Sequence, residues 1–379
     1  MPQQQHYQGD DGWAKIAEYL DAIPEGKVLL LTGQAAYHNS GAEQNLAPYL
    51  AGRGYTHIYD FQTNPKIEDV SRLLSQLDDK HDYQAIIAVG GGSVIDVAKL
   101  LKAFWGNAAA VESYFNGDDK LSPCALPLIA VPSTAGSGSE ATRFAVVYKD
   151  KEKFSMEHER LLPEFSVVIP SLLTSVPSHV AASSGMDALC QGIESYWSIH
   201  STDESRQLAA QAIRLAWASI EEAVSQRTTQ SLDNMAQASH LAGRAINITR
   251  TTAPHAVSYP LTSYFGVTHG HAVGILTPYF LQYNASVTES DCLDSRGVNW
   301  VKQAILEILE MLGCQTTEQA ATAIRELMQD LGLEIDLGKL GIQTEQDITR
   351  MIDNGFNPQR INNNPRKVTK QALETMLVE

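Results

Sequence analysis

A continuous apolar run, Ala85-Ile86-Ile87-Ala88-Val89, stops at Gly90-Gly91-Gly92-Ser93 and passes at once into a helical stretch through Lys99 and Phe104. A strand without a polar side must be covered on both faces, which a parallel α/β sheet provides. Lys27–Thr32, a second such run, lies between Gly26 and Gly33, and His57–Phe61 and Leu126–Val131 are further strand candidates. Helical stretches over Trp13–Ile23, Gln44–Gly52 and Ile67–Leu77 alternate with them. The alternation predicts an α/β layer with a parallel sheet. Phe144–Tyr148 and Ser166–Ile169 read as later strands, added as a hairpin or at an edge.

From Val176 the pattern turns helical, over Gly185–His200, Ser205–Gln226, Leu232–Ile248, Asn299–Leu312, Glu318–Leu331 and Glu345–Asn354. Leu208, Ala212, Leu215, Ala216, Ile220 and Val224 make one apolar helix face, read as core. The chain of 379 residues suits two domains, placed at 1–177 and 178–379. No apolar run approaches the roughly 20 residues of a membrane span. A net charge of −16 argues against nucleic acid and anionic membranes as partners. A small anionic substrate is compatible with that charge only if a local positive pocket exists. Cys124, Cys190, Cys292 and Cys314 are scattered without a CxxC, and the N-terminal segment is polar, so a reduced, cytoplasmic setting is expected.

Two loops carry chemistry in the first half. Gly90, Gly91, Gly92 and Ser93 follow a strand and open a helix that runs on through Asp96. Glycines let backbone approach a pyrophosphate, and the helix N-terminus offers N–H groups and a positive dipole end. The alternative is a tight turn that needs glycine for positive φ. The spacing is not GxGxxG. The second loop, Pro132–Glu140, contains Ser133, Thr134 and Ser137, small hydroxyl residues suited to a nucleotide outside the strand ends; its alternative is a plain surface loop. Thr32-Gly33-Gln34-Ala35 lacks the carboxylate that would select NAD over NADP, so these residues alone leave both open.

In the second half, Asp187 and Gln191 stand four apart on one helix face. Taken singly, Asp187 could be a first-turn carboxylate favoured by the helix dipole, and Gln191 a solvated residue. His255 and His269 are fourteen residues apart, which is no metal-ligand spacing by itself. A lone histidine is more often a hydrogen-bonded core or surface residue. Together the four side chains can meet at one divalent metal.

The Gly90–Asp96 and Pro132–Glu140 segments, Gly185-Met186-Asp187-Ala188-Leu189 and the later histidines resemble the iron-containing (group III) alcohol dehydrogenases, in order and over most of the chain. The resemblance implies a dehydroquinate-synthase-like fold, α/β plus all-α, with a Rossmann-like N-terminal domain and a helical C-terminal domain. It also implies a nicotinamide cofactor, NAD(H) ahead of NADP(H), one divalent ion, Fe2+ or Zn2+, and a homodimer. On it, Asp187, His255 and His269 fall on metal ligands, and Lys153 on a lysine near the nicotinamide ribose. Asn364-Pro365-Arg366 falls on a common C-terminal motif. The cofactor set is then Gly33, Gly90, Gly91, Gly92, Ser93, Asp96, Ser133, Thr134, Ser137 and Lys153. Two positions depart from the family: Gln191 and Tyr259 stand where histidines are usual. Gln191 can ligate through its carbonyl oxygen. His271 is an extra imidazole that can replace the lost proton relay, with Tyr259 as second choice.

Ser195–Ser198, Ser258–Ser263 and His269–Val273 resemble the branch that reduces two-carbon aldehydes carrying a strong anion. Reduction of sulfoacetaldehyde to isethionate is expected first, and of phosphonoacetaldehyde to 2-hydroxyethylphosphonate second. The anion needs donors, for which Arg250, Thr251, Arg244, Arg360 and Asn362 are candidates, Arg250 foremost. The expected reaction is hydride transfer between nicotinamide and aldehyde, with the metal as Lewis acid. Competing readings are a general short-chain alcohol dehydrogenase, a dehydroquinate-synthase-like lyase or cyclase, and a nucleotide-binding protein without activity.

Overall fold

In the computed structural model, residues 4–77, 82–117, 121, 123–150 and 152–378 are described. The chain divides into two compact units, Met1–Val176 and Pro177–Glu379.

Among its described residues the first unit holds eight strands: β1 (Gln5–Gln8), β2 (Lys27–Thr32), β3 (Tyr55–Ile58), β4 (Tyr83–Gly90), β5 (Leu128–Pro132), β6 (Phe144–Lys149), β7 (Glu152–Glu157) and β8 (Phe165–Val168). Six of them form one sheet in the order β1-β8-β5-β4-β2-β3, parallel throughout. The apolar runs are apolar because both faces are covered. Leu29, Leu31, Ile86, Ala88, Leu128 and Ala130 join the core beneath the helices Ile67–Gln76 and Gly92–Ala103. Their neighbours Val28, Leu30, Ala85, Ile87, Ile129 and Val131 face the opposite core under Gly12–Asp21 and Ala42–Leu50. That is the two-residue alternation of a strand, each large apolar side chain adding roughly 1.5–3 kcal/mol on burial.

One strand placement differs from the expectation. Phe165–Val168 is neither hairpin nor edge; β8 lies inside the parallel sheet, between β5 and β1. The hairpin is β6 with β7, a separate antiparallel pair. The edge strand β1 was not foreseen, since four residues of Gln-His-Tyr-Gln carry no apolar period. Strand order fixes the functional edge. From β2 the chain steps outward to β3, then crosses back to β4 on the other side of β2 and continues to β5. This order places the topological switch outside the carboxyl ends of β2 and β4, where Gly33 and the glycine turn sit.

The second unit is helical among its described residues. The helix Ser178–Trp197 packs on Asp203–Ser225 and on Thr229–Thr249. Close approach relies on glycine: a Cβ at Gly185 would lie 2.6 Å from Cδ1 of Ile220. Thr202 and Ser205 form a reciprocal capping box that starts Asp203–Ser225. Ser178–Trp197 begins well before the expected Gly185, directly after Pro177. Ala253–Phe265 and His269–Ala285 were not foreseen as helices; they contain Pro260 and Pro278. No helix of the described residues is long and apolar enough to cross a membrane.

Candidate active site

In the first unit, the two loops marked in the sequence lie against each other. None of Gly90, Gly91 and Gly92 has positive φ, so a left-handed turn does not explain them. Space does. A Cβ at Gly90 would stand 2.4 Å from Cγ2 of Val94, at Gly92 2.6 Å from Oγ of Ser137, and at Gly91 3.2 Å from Oγ1 of Thr134. The Ser133 N–H donates to the Gly90 carbonyl at 2.9 Å. The helix Gly92–Ala103 starts at Gly91 with no side-chain cap and no acidic residue in its first turn, a configuration suited to an anion. The Ser93 and Ser137 hydroxyls accept N–H bonds from Asn64 and Ser139, both at 3.3 Å.

Gly33 caps the short helix Gln34–Asn39, with room for a side chain: its Cβ would meet only Cβ of Ala36 at 3.6 Å and Cγ2 of Val94 at 3.9 Å. Asp96 is turned into the protein. Its Oδ1 accepts the Ser139 hydroxyl at 2.7 Å and its Oδ2 the Val146 N–H at 3.2 Å. Burial pushes its pKa up, against the opposing charges of Lys99 and Lys153 and these hydrogen bonds. The carboxylate expected at the cofactor thus braces the second loop. Lys153 lies on β7 opposite Tyr148, half-buried.

In the second unit, three helices converge. Asp187 lies in the middle of Ser178–Trp197, 6 % exposed, which removes the first-turn dipole explanation. Gln191, one turn on, is also buried and hydrogen-bonds Asp187. His255 projects from the first turn of Ala253–Phe265, and His269 opens His269–Ala285. One ligand atom each of Asp187, His255 and His269 lies within 4.8 Å of the others. The imidazoles of His255 and His269 meet edge to face at 5.2 Å.

The surroundings orient this group. His255 Nε2 faces Asp187 Oδ1 at 3.2 Å, while its Nδ1 makes a short hydrogen bond to Oε1 of Glu194, a fully buried carboxylate. Oε2 of Glu194 accepts the Thr252 N–H at 2.7 Å and its hydroxyl at 2.8 Å, and Trp197 Nε1 donates to that hydroxyl at 2.9 Å. Burial alone lowers the His255 pKa; the Glu194 charge and the bonds to both carboxylates reverse this and lift it to about 9. Burial likewise works against the Asp187 carboxylate, yet His255, His269 and Gln191 hold its pKa below the ordinary value. A carboxylate, two imidazoles and an amide oxygen form a donor set that fits Fe2+ or Zn2+. A carboxylate on the far nitrogen of a ligating histidine is the usual support of such a centre.

His271 is not part of this cluster. It is buried, its backbone N–H donates to the Ser183 hydroxyl, and its Nε2 bonds the Glu334 carbonyl at 2.6 Å. Tyr259 does reach the group, its ring stacked over His269 at 6.0 Å. Of the anion candidates, Arg244 is exposed and stands 3.9 Å from Glu204, a surface pair. Asn362 is exposed, and the side chain of Arg360 lies outside the described residues. Arg250 is exposed with φ 59° and ψ 175°, at the C-terminus of Thr229–Thr249. Thr251 is half-buried, and its carbonyl accepts Nδ2 of Asn363 at 3.0 Å. Sequence reasoning missed Glu194 and Lys99, and read Thr252 only as part of the Arg250-Thr251-Thr252 stretch of anion donors. Glu194 had a signal: it stands seven residues after Asp187 and three after Gln191, on the same helix face.

Two family profiles match the chain. "Iron-containing alcohol dehydrogenase" covers residues 3–170, and "Fe-containing alcohol dehydrogenase family, C-terminal" covers 181–379. A phosphonoacetaldehyde reductase of Streptomyces viridochromogenes is 33% identical over 85% of this chain and 82% of its own length. A 1,3-propanediol dehydrogenase of Klebsiella pneumoniae is 30% identical over 96% of this chain and 94% of its own. Among solved structures, a sulfoacetaldehyde reductase from Bifidobacterium kashiwanohense in complex with NAD+ superposes with a TM-score of 0.87 at 28% identity, covering 99% of this chain and 96% of that one.

Proposed function

Because the chain belongs to the iron-containing alcohol dehydrogenase family, we propose that it reduces a two-carbon aldehyde bearing a sulfonate or phosphonate to the alcohol, with NADH preferred, at a divalent metal held by Asp187, Gln191, His255 and His269. The convergence of ligand atoms from Asp187, His255 and His269 within 4.8 Å carries this reading. When bound, the ion supplies Lewis-acid polarisation of the aldehyde oxygen and the nicotinamide supplies the hydride. Glu194 and Thr252 keep the His255 ring turned so that Nε2 stays beside Asp187. Tyr259, stacked on His269, is the better proton donor to the alkoxide, because Nε2 of His271 is engaged with the Glu334 carbonyl. The glycine turn and the Ser133–Ser137 loop take the dinucleotide phosphates. A homodimer in a reduced cytoplasm completes the reading, and the four free cysteines are compatible with it.

The preference for an anionic aldehyde is supported by the turn at Arg250. A non-glycine residue in its backbone region costs about 1–3 kcal/mol and persists where the surroundings hold it. The Thr249 hydroxyl donates to the Arg250 carbonyl at 2.9 Å, Asn363 pins Thr251, and Glu194 pins Thr252. A strained arginine tied to the network that orients His255 suits an anchor for a tetrahedral oxyanion. The sulfoacetaldehyde and phosphonoacetaldehyde reductases among its relatives point the same way. Steady-state kinetics with sulfoacetaldehyde, phosphonoacetaldehyde and propanal, each with NADH and NADPH, test it. One charge-assisted contact is worth roughly 1.5–3 kcal/mol, so kcat/KM for an anionic aldehyde should exceed that for propanal by about ten- to a hundredfold. Arg250→Ala should remove most of that margin through KM. Equal kcat/KM for propanal, or an equal effect of Arg250→Ala on all three, refutes the anionic substrate and leaves a general short-chain alcohol dehydrogenase.

A further inference from the structure

We propose that Lys99 is a positioning residue for the dinucleotide, clamping the Ser133–Thr142 segment, together with Asp96, against the glycine turn. The proposal rests on the reading of these two loops as the dinucleotide site. Lys99 is fully buried on the helix Gly92–Ala103. Its Nζ lies 2.6 Å from the Ser139 carbonyl, 2.8 Å from that of Thr142 and 2.7 Å from that of Phe144. An ammonium has three N–H donors, and three carbonyls meet them. The hydroxyls of Ser139 and Thr142 stand further off, both at 3.1 Å.

Asp96, three residues earlier on the same helix face, takes the Ser139 hydroxyl and the Val146 N–H. A buried ammonium is costly unless fully bonded, and an apolar residue would fill the same space without that cost. The charge instead gathers at one point the Ser139 and Thr142 carbonyls of the loop and the Phe144 carbonyl at the start of β6. Gly138, at φ 58°, turns the chain so that the short turn Ser139–Ala141 reaches it. In the same segment, Ser137 and Thr134 lie close on Gly92 and Gly91, where an added Cβ would stand 2.6 and 3.2 Å from their hydroxyl oxygens. One helix therefore carries the glycine turn at its start and, two turns on, the clamp that sets the second loop against it.

The test uses the metal-loaded enzyme and the variants Lys99→Met and Ser139→Ala. NADH affinity is read by fluorescence titration, alongside KM for NADH, kcat at saturating NADH, bound metal and Tm. Loss of the ammonium should weaken NADH binding about tenfold or more, and loss of the Ser139 hydroxyl by a smaller factor. Bound metal should stay at the wild-type level and kcat at saturation should change far less than the affinity. Should Lys99→Met fail to fold, Ser139→Ala decides. Folded variants with wild-type NADH affinity, or a fall in kcat as large as the fall in affinity, overturn the positioning role. A wild-type enzyme that binds neither NADH nor NADPH overturns the loop assignment itself, and this inference with it.

Discussion

Glu194 answers three donors at once: Nδ1 of His255, the backbone N–H of Thr252 and the Thr252 hydroxyl. A carboxylate has enough lone pairs for all three, whereas a glutamine offers one acceptor oxygen and turns an NH2 toward the rest. Glu194→Gln keeps the volume and leaves a buried N–H facing another donor, so His255 loses its fixed orientation. Metal affinity, measured by competition with a chelator, should fall on the order of 10–100-fold. An unchanged affinity would mean that Glu194 only fills space. Asp187 and Gln191 were legible as one helix face because four-residue spacing shows in any sequence. Glu194 on the same face was passed over because helical glutamates are overwhelmingly solvated, and only the packed structure shows it buried.

The helices that bring the site together meet at Gly270. A Cβ there would lie 1.9 Å from the Ser183 carbonyl oxygen and 2.7 Å from Cβ of Asp187, so His269–Ala285 touches Ser178–Trp197 backbone to backbone. That contact sets the distance between His269 and Asp187. Gly270→Ala forces the helices apart, with a cost at or above the top of the roughly 1–3 kcal/mol usual for overpacking. The melting temperature should drop by several degrees, on the order of 5–10 °C, and bound metal should fall with it. A variant with wild-type Tm and full metal content would show that the crossing is looser than described. A second tie is the motif at the C-terminus. Asn364 and Asn284 exchange amide hydrogen bonds at 2.7 and 3.1 Å, and Arg366 holds the Tyr283 carbonyl and Asp291, each at 2.8 Å. Its resemblance was visible in sequence, its clamping role was not. The helices carrying His255 and His269 went unread for a physical reason. Pro254, Pro260 and Pro278 interrupt the pattern, and burial on all sides of His269–Ala285 erases the polar face that defines a helical period.

At the scale of the molecule, the elements were legible where burial is one-sided or complete over a long stretch. The strands β2, β4 and β5 announce themselves through continuous apolar runs, and the long amphipathic helices through their period. The short strand β1, with mixed residues, is defined by its neighbour and carries little signal of its own, whereas β8 was legible as a strand but its place inside the sheet is set by β5 and β1. The net charge of −16 pointed away from polyanionic partners and set the demand for a local cationic anchor, which Arg250 is proposed to meet. Reduction by this scheme requires a metal bound by the second unit. The most direct measurement is metal content by mass spectrometry, with NADH-dependent aldehyde reduction followed in parallel, for wild type and His269→Ala after chelation and reloading with Fe2+ or Zn2+. Close to one ion per chain is expected in the reloaded wild type, with activity lost on chelation and restored on reloading, and neither metal nor activity recovered by His269→Ala. Full turnover by the chelated protein, or wild-type metal binding by His269→Ala, would contradict it.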